Sequence, residues 1–327
     1  MYRVIPWLIF AGCVSLAVFL FFLLPVSRQP EVRPIEISSG MGVRMIADRL
    51  EELKIIRSSG TFLIFSVFSG SAHILKPGNY QLSPASSTPE IISFLSRGPK
   101  KDIAITFPEG VTLRDIDFLL SLAGVIAPGT LINFPITSIA LSYPFLRDAQ
   151  SPEGFLFPDT YRFFINSQTS EVIEKFLDAF KKKAWPMLPG TDFKNKLIIA
   201  SMIEKEVPEP KDRRIVSGIL HKRLNVGMPL QVDATITYIK CQGSFVTCAA
   251  PKIARRDISV QSRYNTYLYP GLPPGPISNP GVDAIKASLQ PVSSDYWFYL
   301  SDPITKRTVF SVTLEEHNDN RAKYLGL

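Results

Sequence analysis

The chain has 327 residues, of which 46% are hydrophobic and 20% are charged, and its formal net charge is +7. This composition excludes general disorder, and the length allows about two compact domains besides a short terminal segment. The positive charge would favour an anionic partner such as a polymer or lipid head groups, but it is spread along the chain and identifies no partner alone.

The first predicted element is an apolar run from Val4 to Val26 that carries no charged residue. About 20 apolar residues cross a bilayer as a helix, so this run predicts a transmembrane anchor. A cleaved signal peptide is the alternative, but its apolar core is usually only about 7 to 15 residues. A lipoprotein cleavage site before Cys13 is a further alternative, but cleavage there would leave a long apolar run, Val14 to Leu24, in the mature protein. Orientation stays open, because Arg3 precedes the span and Arg28 follows it.

Residues 35–96 alternate between strand and helix signals. The pattern predicts a strand near Ile35, an amphipathic helix carrying Val43 to Leu53, a helix over Gly60–Phe68, a strand ending near Leu82 and a helix over Thr88–Ser96. A second strand, glycine turn and helix begin at residue 103, which suggests a small α+β repeat. This region is either a glycan-binding module or a structural spacer.

An aromatic segment, EGFLFPDTYRF, follows a stretch of weak pattern. Its Phe155, Phe157 and Tyr161 could line a sugar cleft, but alternate spacing favours a core strand. A helix is predicted over Ser170–Trp185.

The stretch KNKLIIASMIEKEVPEP is the most informative for chemistry. A buried helix is predicted over residues 197–206, because Pro208 disfavours the helical conformation at Val207. Glu206 continues the apolar stripe of Ile199, Met202 and Ile203. Desolvation and the negative end of the helix dipole should raise its pKa, as a general acid requires near neutral pH.

Glu204 lies only two residues before Glu206, so the two carboxyl groups should point to different sides of the helix. They are therefore not expected to form a close acid and nucleophile pair. The alternative for both glutamates is that they are solvated residues at a fraying helix end.

Downstream, a helix is predicted to stop at Gly227. A strand or extended stretch follows, in which Gln231, Asp233 and Thr235 alternate with apolar residues and could face one side together. Next, Asn265 and its aromatic neighbours precede a Pro/Gly-rich loop that should shape or brace a cleft.

Two cysteines, Cys241 and Cys248, close a short loop in CQGSFVTC. They fit a disulfide at the tip of a hairpin in an oxidising compartment, or else two reduced, buried thiols.

Five segments together resemble the YceG-like (MltG) family of endolytic murein transglycosylases. They are EGFLFPDTY, ASMIEKE, RLNVGMPLQVDATITY, YNTYLYPGLPPGPISNPG and FSVTLEEHNDNRAKYL, and with the N-terminal anchor they cover essentially the whole chain in order. The segment around Cys241 and Cys248 has no match to the family pattern.

The resemblance implies an α+β fold in three parts: residues 1–28 as a cytoplasmic tip and transmembrane helix, residues 29–102 as a LysM-like subdomain, and residues 103–327 as a mixed α+β catalytic domain outside the cytoplasm. It implies Glu206 as the catalytic residue. Substrate-binding candidates at motif positions are Asp159, Gln231, Asp233, Asn265 and Tyr267.

The implied reaction is cleavage of the MurNAc–GlcNAc bond within nascent glycan strands, with 1,6-anhydro-MurNAc ends, linked to the end of strand elongation. One carboxyl group suffices, because the C6 hydroxyl of the substrate attacks. The expected partners are peptidoglycan, the inner membrane and cell-wall synthases, with no nucleic acid.

No cofactor or metal is expected, since the three histidines lack metal-ligand spacing and the chain has no HExxH, GxSxG or SxxK motif. The rival functions are a non-catalytic, membrane-anchored peptidoglycan-binding protein and a muramidase that uses water.

Overall fold

The computed structural model describes residues 5–99, 102–188, 190–248 and 253–326. The chain forms two compact units, residues 1–101 and residues 102–327. The described parts combine helices with two-stranded antiparallel sheets. The predicted α+β class is therefore confirmed.

The N-terminal apolar segment forms a helix, α1, over Ile5–Leu23. Within the described residues, no helix combines the length and the apolarity needed to cross a membrane. The predicted transmembrane helix over residues 4–26 thus has no support from the structure. Residues 1–4, including Arg3 of the predicted cytoplasmic tip, lie outside the described part of the chain.

The first unit continues with a two-stranded sheet and three helices. They are β1 Arg33–Ile37, α2 Val43–Glu52, α3 Ser59–Phe68, β2 Gly78–Leu82 and α4 Thr88–Arg97. In the antiparallel pair, Ile35 lies opposite Tyr80, and both pack in a core with Leu50 of α2. A capping box between Ser87 and Glu90 begins α4 by satisfying backbone N–H groups of its first turn. These elements lie where the sequence predicts them.

The second unit contains the remaining elements. They are β3 Asp102–Thr106, α5 Leu113–Leu122, β4 Thr160–Phe164, α6 Thr169–Lys183, α7 Phe193–Glu206, α8 Pro210–Asn225, α9 Asp233–Lys240, α10 Val282–Leu289, β5 Phe298–Ser301, β6 Thr308–Ser311 and α11 Leu314–Leu325. Strand β3 pairs with β4, and β5 pairs with β6, both antiparallel.

The two halves of the predicted small repeat lie in different units. Both strand, turn and helix sequences form, but β1 and α2 lie in the first unit whereas β3 and α5 lie in the second. Each strand takes a partner from its own unit, β2 for β1 and β4 for β3. Similar local signals therefore serve two separate cores.

The aromatic segment before β4 contributes to the core of the second unit. Phe155, Phe157 and Tyr161 are all buried, and the Tyr161 ring lies 4.4 Å from that of Phe176 between centroids. The preference for core packing over a sugar cleft is confirmed. Of these three, only Tyr161 lies in a strand.

The Pro/Gly-rich loop before α10 braces α7. The Ser201 hydroxyl accepts a hydrogen bond from the Ile277 N–H at 3.1 Å, and the Ser278 hydroxyl donates to the Ser201 carbonyl at 3.1 Å. Helix α8 packs closely against the segment after α10 at Gly218, where an added Cβ would lie 2.0 Å from the Val292 carbonyl oxygen. The two bonds at Ser201 fix the helix that ends at Glu206 to the loop before α10.

Two local predictions near α9 need correction. Residues 231–235 are not a strand, because α9 begins at Asp233. Thr235 is buried, and its hydroxyl bonds to the Val232 carbonyl and to Thr266, so a satisfied core threonine produced the misleading polar alternation. The predicted disulfide between Cys241 and Cys248 is present, but it closes a loop after α9 rather than a hairpin.

Candidate active site

Helix α7 positions Glu206 as its last residue. Ile199, Met202 and Ile203 are at most 1% exposed, so the apolar stripe is buried as predicted. Val207 then takes an extended conformation, φ −119° and ψ 101°, because Pro208 follows it. Helix α7 thus ends at Glu206, and the packing of the helix fixes the position from which the Glu206 side chain extends.

The Glu206 carboxyl group meets the first turn of α9. Its Oε1 accepts a hydrogen bond from the Ala234 N–H at 2.6 Å. Its main-chain carbonyl accepts one from the Ser301 hydroxyl at 2.9 Å, which ties the helix end to β5. Because Oε1 accepts this hydrogen bond, we assign the proton of the neutral acid to the second oxygen, Oε2.

Burial and, to a smaller extent, the nearby Asp233 carboxylate together raise the pKa of Glu206 to about 8, while the Ala234 N–H opposes both. The predicted direction is therefore confirmed. Burial was foreseen as a cause, but Asp233 was not. A carboxyl group with this pKa holds its proton at neutral pH and can donate it.

Asp233 and Tyr267 form the polar neighbour of Glu206. The Tyr267 hydroxyl donates to Asp233 Oδ1, a contact between two motifs that are 34 positions apart in the chain. Burial and the Asp233 charge hold the pKa of Tyr267 well above its usual range, so its phenol stays protonated. The structure therefore brings together three residues that the sequence proposed: Glu206, Asp233 and Tyr267.

Glu204 has a different environment from Glu206, although the two are neighbours. Its carboxylate forms a buried ion pair with Arg213 at 2.8 Å and accepts the Gly281 N–H at 2.9 Å. Such contacts hold the Glu204 side chain in one position, which suits a structural brace between α7, α8 and the loop before α10. The alternative of two solvated glutamates at a fraying end is wrong.

Asn265 and Gln231 differ from each other in accessibility. Asn265 is fully buried; its amide group donates to the Ile258 and Val260 carbonyls, and its oxygen accepts the Tyr267 N–H. These contacts make Asn265 a brace for the loop, in place of the predicted substrate contact. Gln231 is exposed just before Asp233 and has a positive φ of 53°, a conformation that is uncommon outside glycine.

Asp159 lies at the beginning of β4, where its carboxylate pairs with Lys183 of α6 and accepts the Thr160 N–H. The Lys183 contact lowers the pKa of Asp159. None of these contacts joins it to the cluster around Glu206. Its predicted role in substrate binding stays a prediction.

A second buried acid, Glu153, was missed as a candidate, although it opens the motif EGFLFPDTY. Both of its carboxyl oxygens lie 3.1 Å from the Leu113 nitrogen, and the Asn279 amide donates to it at 2.9 Å. Burial raises its pKa to about 8, with a further contribution from Asp115. Glu153 therefore joins the beginning of α5 to the loop before α10.

Asp115 connects that region to the disulfide loop. Its carboxylate accepts the Ser244 hydroxyl at 2.7 Å and the backbone N–H groups of Phe245 and Val246. The Lys205 ammonium lies 4.0 Å from the centre of the Phe245 ring. The disulfide loop is thus anchored beside Lys205, the residue that precedes Glu206.

Metal chemistry finds no ready ligand set. Among the residues that the structure describes, no three histidine, cysteine, aspartate or glutamate side chains are grouped as a metal site would require. What the cluster can do is acid–base chemistry, with one neutral carboxyl group beside an ionisable one.

These features define a two-unit α+β protein with a partly buried glutamic acid at a helix end. The model of the YceG-like family matches residues 35–323, and the chain belongs to this family. The resemblance noted from the sequence motifs is therefore confirmed.

Relatives and a solved structure agree with this assignment. Proteins named endolytic murein transglycosylase from Streptococcus pneumoniae (strain D39) and Bacillus subtilis (strain 168) are 27% and 30% identical over 99% and 89% of this chain. The chain spans 65% of the pneumococcal relative and 84% of the Bacillus relative. A crystal structure of a YceG-like protein from Listeria monocytogenes matches with 30% identity and a TM-score of 0.57, over 89% of this chain and 100% of that one.

Proposed function

We propose that the chain is an endolytic murein transglycosylase, which cuts the MurNAc–GlcNAc bond within peptidoglycan strands and leaves 1,6-anhydro-MurNAc ends. The observation that carries the proposal is the Glu206 carboxyl group, whose pKa is raised to about 8 by burial and by Asp233 at the end of a rigid helix. The names of the relatives supply the substrate class.

Glu206 serves both steps of the reaction. Neutral Glu206 donates its Oε2 proton to the departing glycosidic oxygen, and the bond from that oxygen to C1 of MurNAc breaks. The resulting carboxylate then takes the proton of the C6 hydroxyl as O6 bonds to C1. Glu206 ends neutral, and no water is consumed.

The surroundings of Glu206 suit this alternation. The Ala234 N–H bonds to Oε1 and stabilises the carboxylate after the first step, whereas burial and Asp233 favour the neutral acid before it. The two opposing influences keep both protonation states accessible. Fixed Oε1 geometry also keeps Oε2 directed at the substrate through both steps.

A muramidase that uses water is the second candidate, and one observation favours it. Asp233 lies close enough to Glu206 to raise its pKa, although the proposed reaction requires no second carboxyl group. In a hydrolase, Asp233 would activate water or form a covalent intermediate. Because the Tyr267 hydroxyl already bonds to Asp233 Oδ1, we favour a role for Asp233 in holding Glu206 neutral.

The matched pair of substitutions Glu206→Gln and Glu204→Gln tests the assignment of the acid. The full chain is incubated with uncrosslinked peptidoglycan, and new ends are identified by mass spectrometry. We expect Glu206→Gln to lower the rate by at least about 100-fold, the usual contribution of a general acid. Undiminished cleavage by Glu206→Gln would refute the proposal. No cleavage by the native chain would also refute it and would favour the non-catalytic peptidoglycan-binding protein.

Glu204→Gln controls for the neighbouring position. This substitution breaks the ion pair with Arg213 and should lower the free energy of unfolding, while the kind of product stays the same. Anhydro ends should still form, since Glu204 has no part in the chemistry. Equal loss in the two variants, with Glu204→Gln still folded, would contradict the choice of Glu206.

An extracytoplasmic location belongs to the same proposal, and the Cys241–Cys248 disulfide supports it, because disulfides persist in oxidising compartments. Three further points rest on the sequence: membrane attachment through the N-terminal segment, glycan binding by a LysM-like first unit, and contact with cell-wall synthases during strand termination.

The extracytoplasmic location can be tested with protease. Protease treatment of intact wall-less cells should degrade residues 102–327. Protection from the protease would contradict the location.

A further inference from the structure

Strand β5 carries a tyrosine whose hydroxyl is buried and has no hydrogen-bond partner among the described residues. This is Tyr299, which lies opposite Phe310 of β6. Buried hydroxyl groups in native proteins almost always have a partner, and a rare exception needs an explanation. A ligand that arrives later is one such explanation.

Tyr299 packs against the cluster that contains Ile203 and Val207 at the end of α7, within electrostatic range of Glu206. Glu206 and Asp233 are both close enough to raise the pKa of Tyr299 by their negative charge, after burial, so the phenol keeps its proton. Ser301, two residues further along β5, donates to the Glu206 carbonyl at 2.9 Å. Side chains at positions i and i+2 of a strand lie on one face, so Tyr299 is on the face that meets the end of α7.

Arg223 holds this arrangement rigid. Its guanidinium donates to the Trp297 carbonyl at 2.7 and 3.0 Å and to the Leu230 carbonyl at 2.6 Å. It thereby clamps the backbone that leads into Tyr299 to the backbone that leads into Asp233. The guanidinium therefore fixes the backbone beside Tyr299 relative to the backbone beside Asp233.

We propose that Tyr299 is a further substrate-contacting residue, whose hydroxyl donates a hydrogen bond to an oxygen of the sugar bound at Glu206. The inference rests on the proposed function for its substrate, a peptidoglycan strand. Glu206 must come within hydrogen-bond distance of the glycosidic oxygen, so a sugar next to that bond lies beside the Tyr299 hydroxyl. Tyr299 keeps its proton throughout and forms no covalent bond.

Tyr299→Phe removes the hydroxyl and keeps the ring. Since that hydroxyl has no partner in the free protein, the thermal midpoint should stay the same or rise. The value of kcat/KM for cleavage of uncrosslinked peptidoglycan should fall by about 10- to 100-fold, as expected for one lost hydrogen bond to substrate. Tyr296→Phe is the matched control, because its ring stacks on Phe310 outside the cluster, and it should retain native kcat/KM.

Two further measurements separate contact with substrate from an indirect effect. The alkaline limb of the pH profile is the range in which activity falls as pH rises through the pKa of Glu206. This limb should stay in place in Tyr299→Phe, whereas it would move if Tyr299 acted through the pKa of Glu206. In the Glu206→Gln background, in which turnover is slow enough to measure binding, Tyr299→Phe should weaken binding of uncrosslinked glycan strands by a similar factor.

Native kcat/KM in Tyr299→Phe, a shifted alkaline limb or a lowered thermal midpoint would each overturn the inference. So would unchanged binding in the Glu206→Gln background. A native chain that binds strands but never cleaves them would instead refute the proposed function, and the binding comparison would still decide the role of Tyr299.

Discussion

The pKa of Glu206 offers a test in which a neighbouring charge is removed while the geometry is kept. Asp233→Asn replaces the carboxylate with an amide of the same shape, whose oxygen can still accept the Tyr267 hydroxyl. A general acid is active when protonated, so activity is lost as pH rises through its pKa. The native alkaline limb should therefore fall near pH 8.

The expected displacement follows from the causes of the raised pKa. The pKa stands at about 8 against an ordinary 4.5, with burial as the larger cause and Asp233 as the second. Removing the smaller cause should lower the pKa of Glu206 and move the alkaline limb toward acid by about one pH unit. The pKa of Glu206 should fall and not rise, because loss of a negatively charged neighbour favours the ionised form of a carboxyl group.

The assay is kcat/KM against pH for release of anhydro ends from uncrosslinked peptidoglycan, with native protein and Asp233→Asn side by side. The position of the limb is read, so a lower overall rate in the variant does not affect the comparison. A limb that stays in place or moves toward alkali would refute the electrostatic role of Asp233.

Three other expectations concern stability. Glu153 has a folded pKa of about 8 against 4.5, so its contribution to stability is full below about pH 4.5 and is lost as pH rises to about 8. Between pH 5 and pH 9, the loss of unfolding free energy in denaturant titrations should therefore be smaller in Glu153→Gln than in the native chain by roughly 2–5 kcal/mol. An equal loss in the two proteins would contradict it. Gly218→Ala should lower the unfolding free energy by at least about 2 kcal/mol, because its Cβ would lie 2.0 Å from the Val292 carbonyl oxygen; an unchanged thermal midpoint would count against the close packing of α8. Reduction of the Cys241–Cys248 disulfide should lower the thermal midpoint, since the bond restricts the unfolded chain, and an identical midpoint with and without reductant would show that the loop adds nothing.

Local signals made α7 predictable. Its apolar spacing and Pro208 specified a buried helix that ends at Glu206, and the structure has both features. The elements of the first unit were readable for the same reason, because capping residues, glycine turns and periodicity act within a few positions.

The partners of Glu206 were not readable from the sequence. Ala234 lies 28 positions away and Ser301 lies 95 positions away, so no local pattern relates them. Asp233 was named as a candidate but placed on a strand, and its effect on the pKa of Glu206 appears only when α9 is recognised as a helix. Tyr299 gave no signal, since its unpartnered hydroxyl is a property of the folded chain.

The fate of water at the cut bond tests the proposed reaction most directly. Cleavage of uncrosslinked peptidoglycan is run in water enriched in oxygen-18, and the new saccharide ends are weighed by mass spectrometry. Ring closure by the C6 hydroxyl predicts 1,6-anhydro-MurNAc ends, lighter by one water than reducing ends and free of the heavy isotope. Reducing ends that carry oxygen-18 would contradict it.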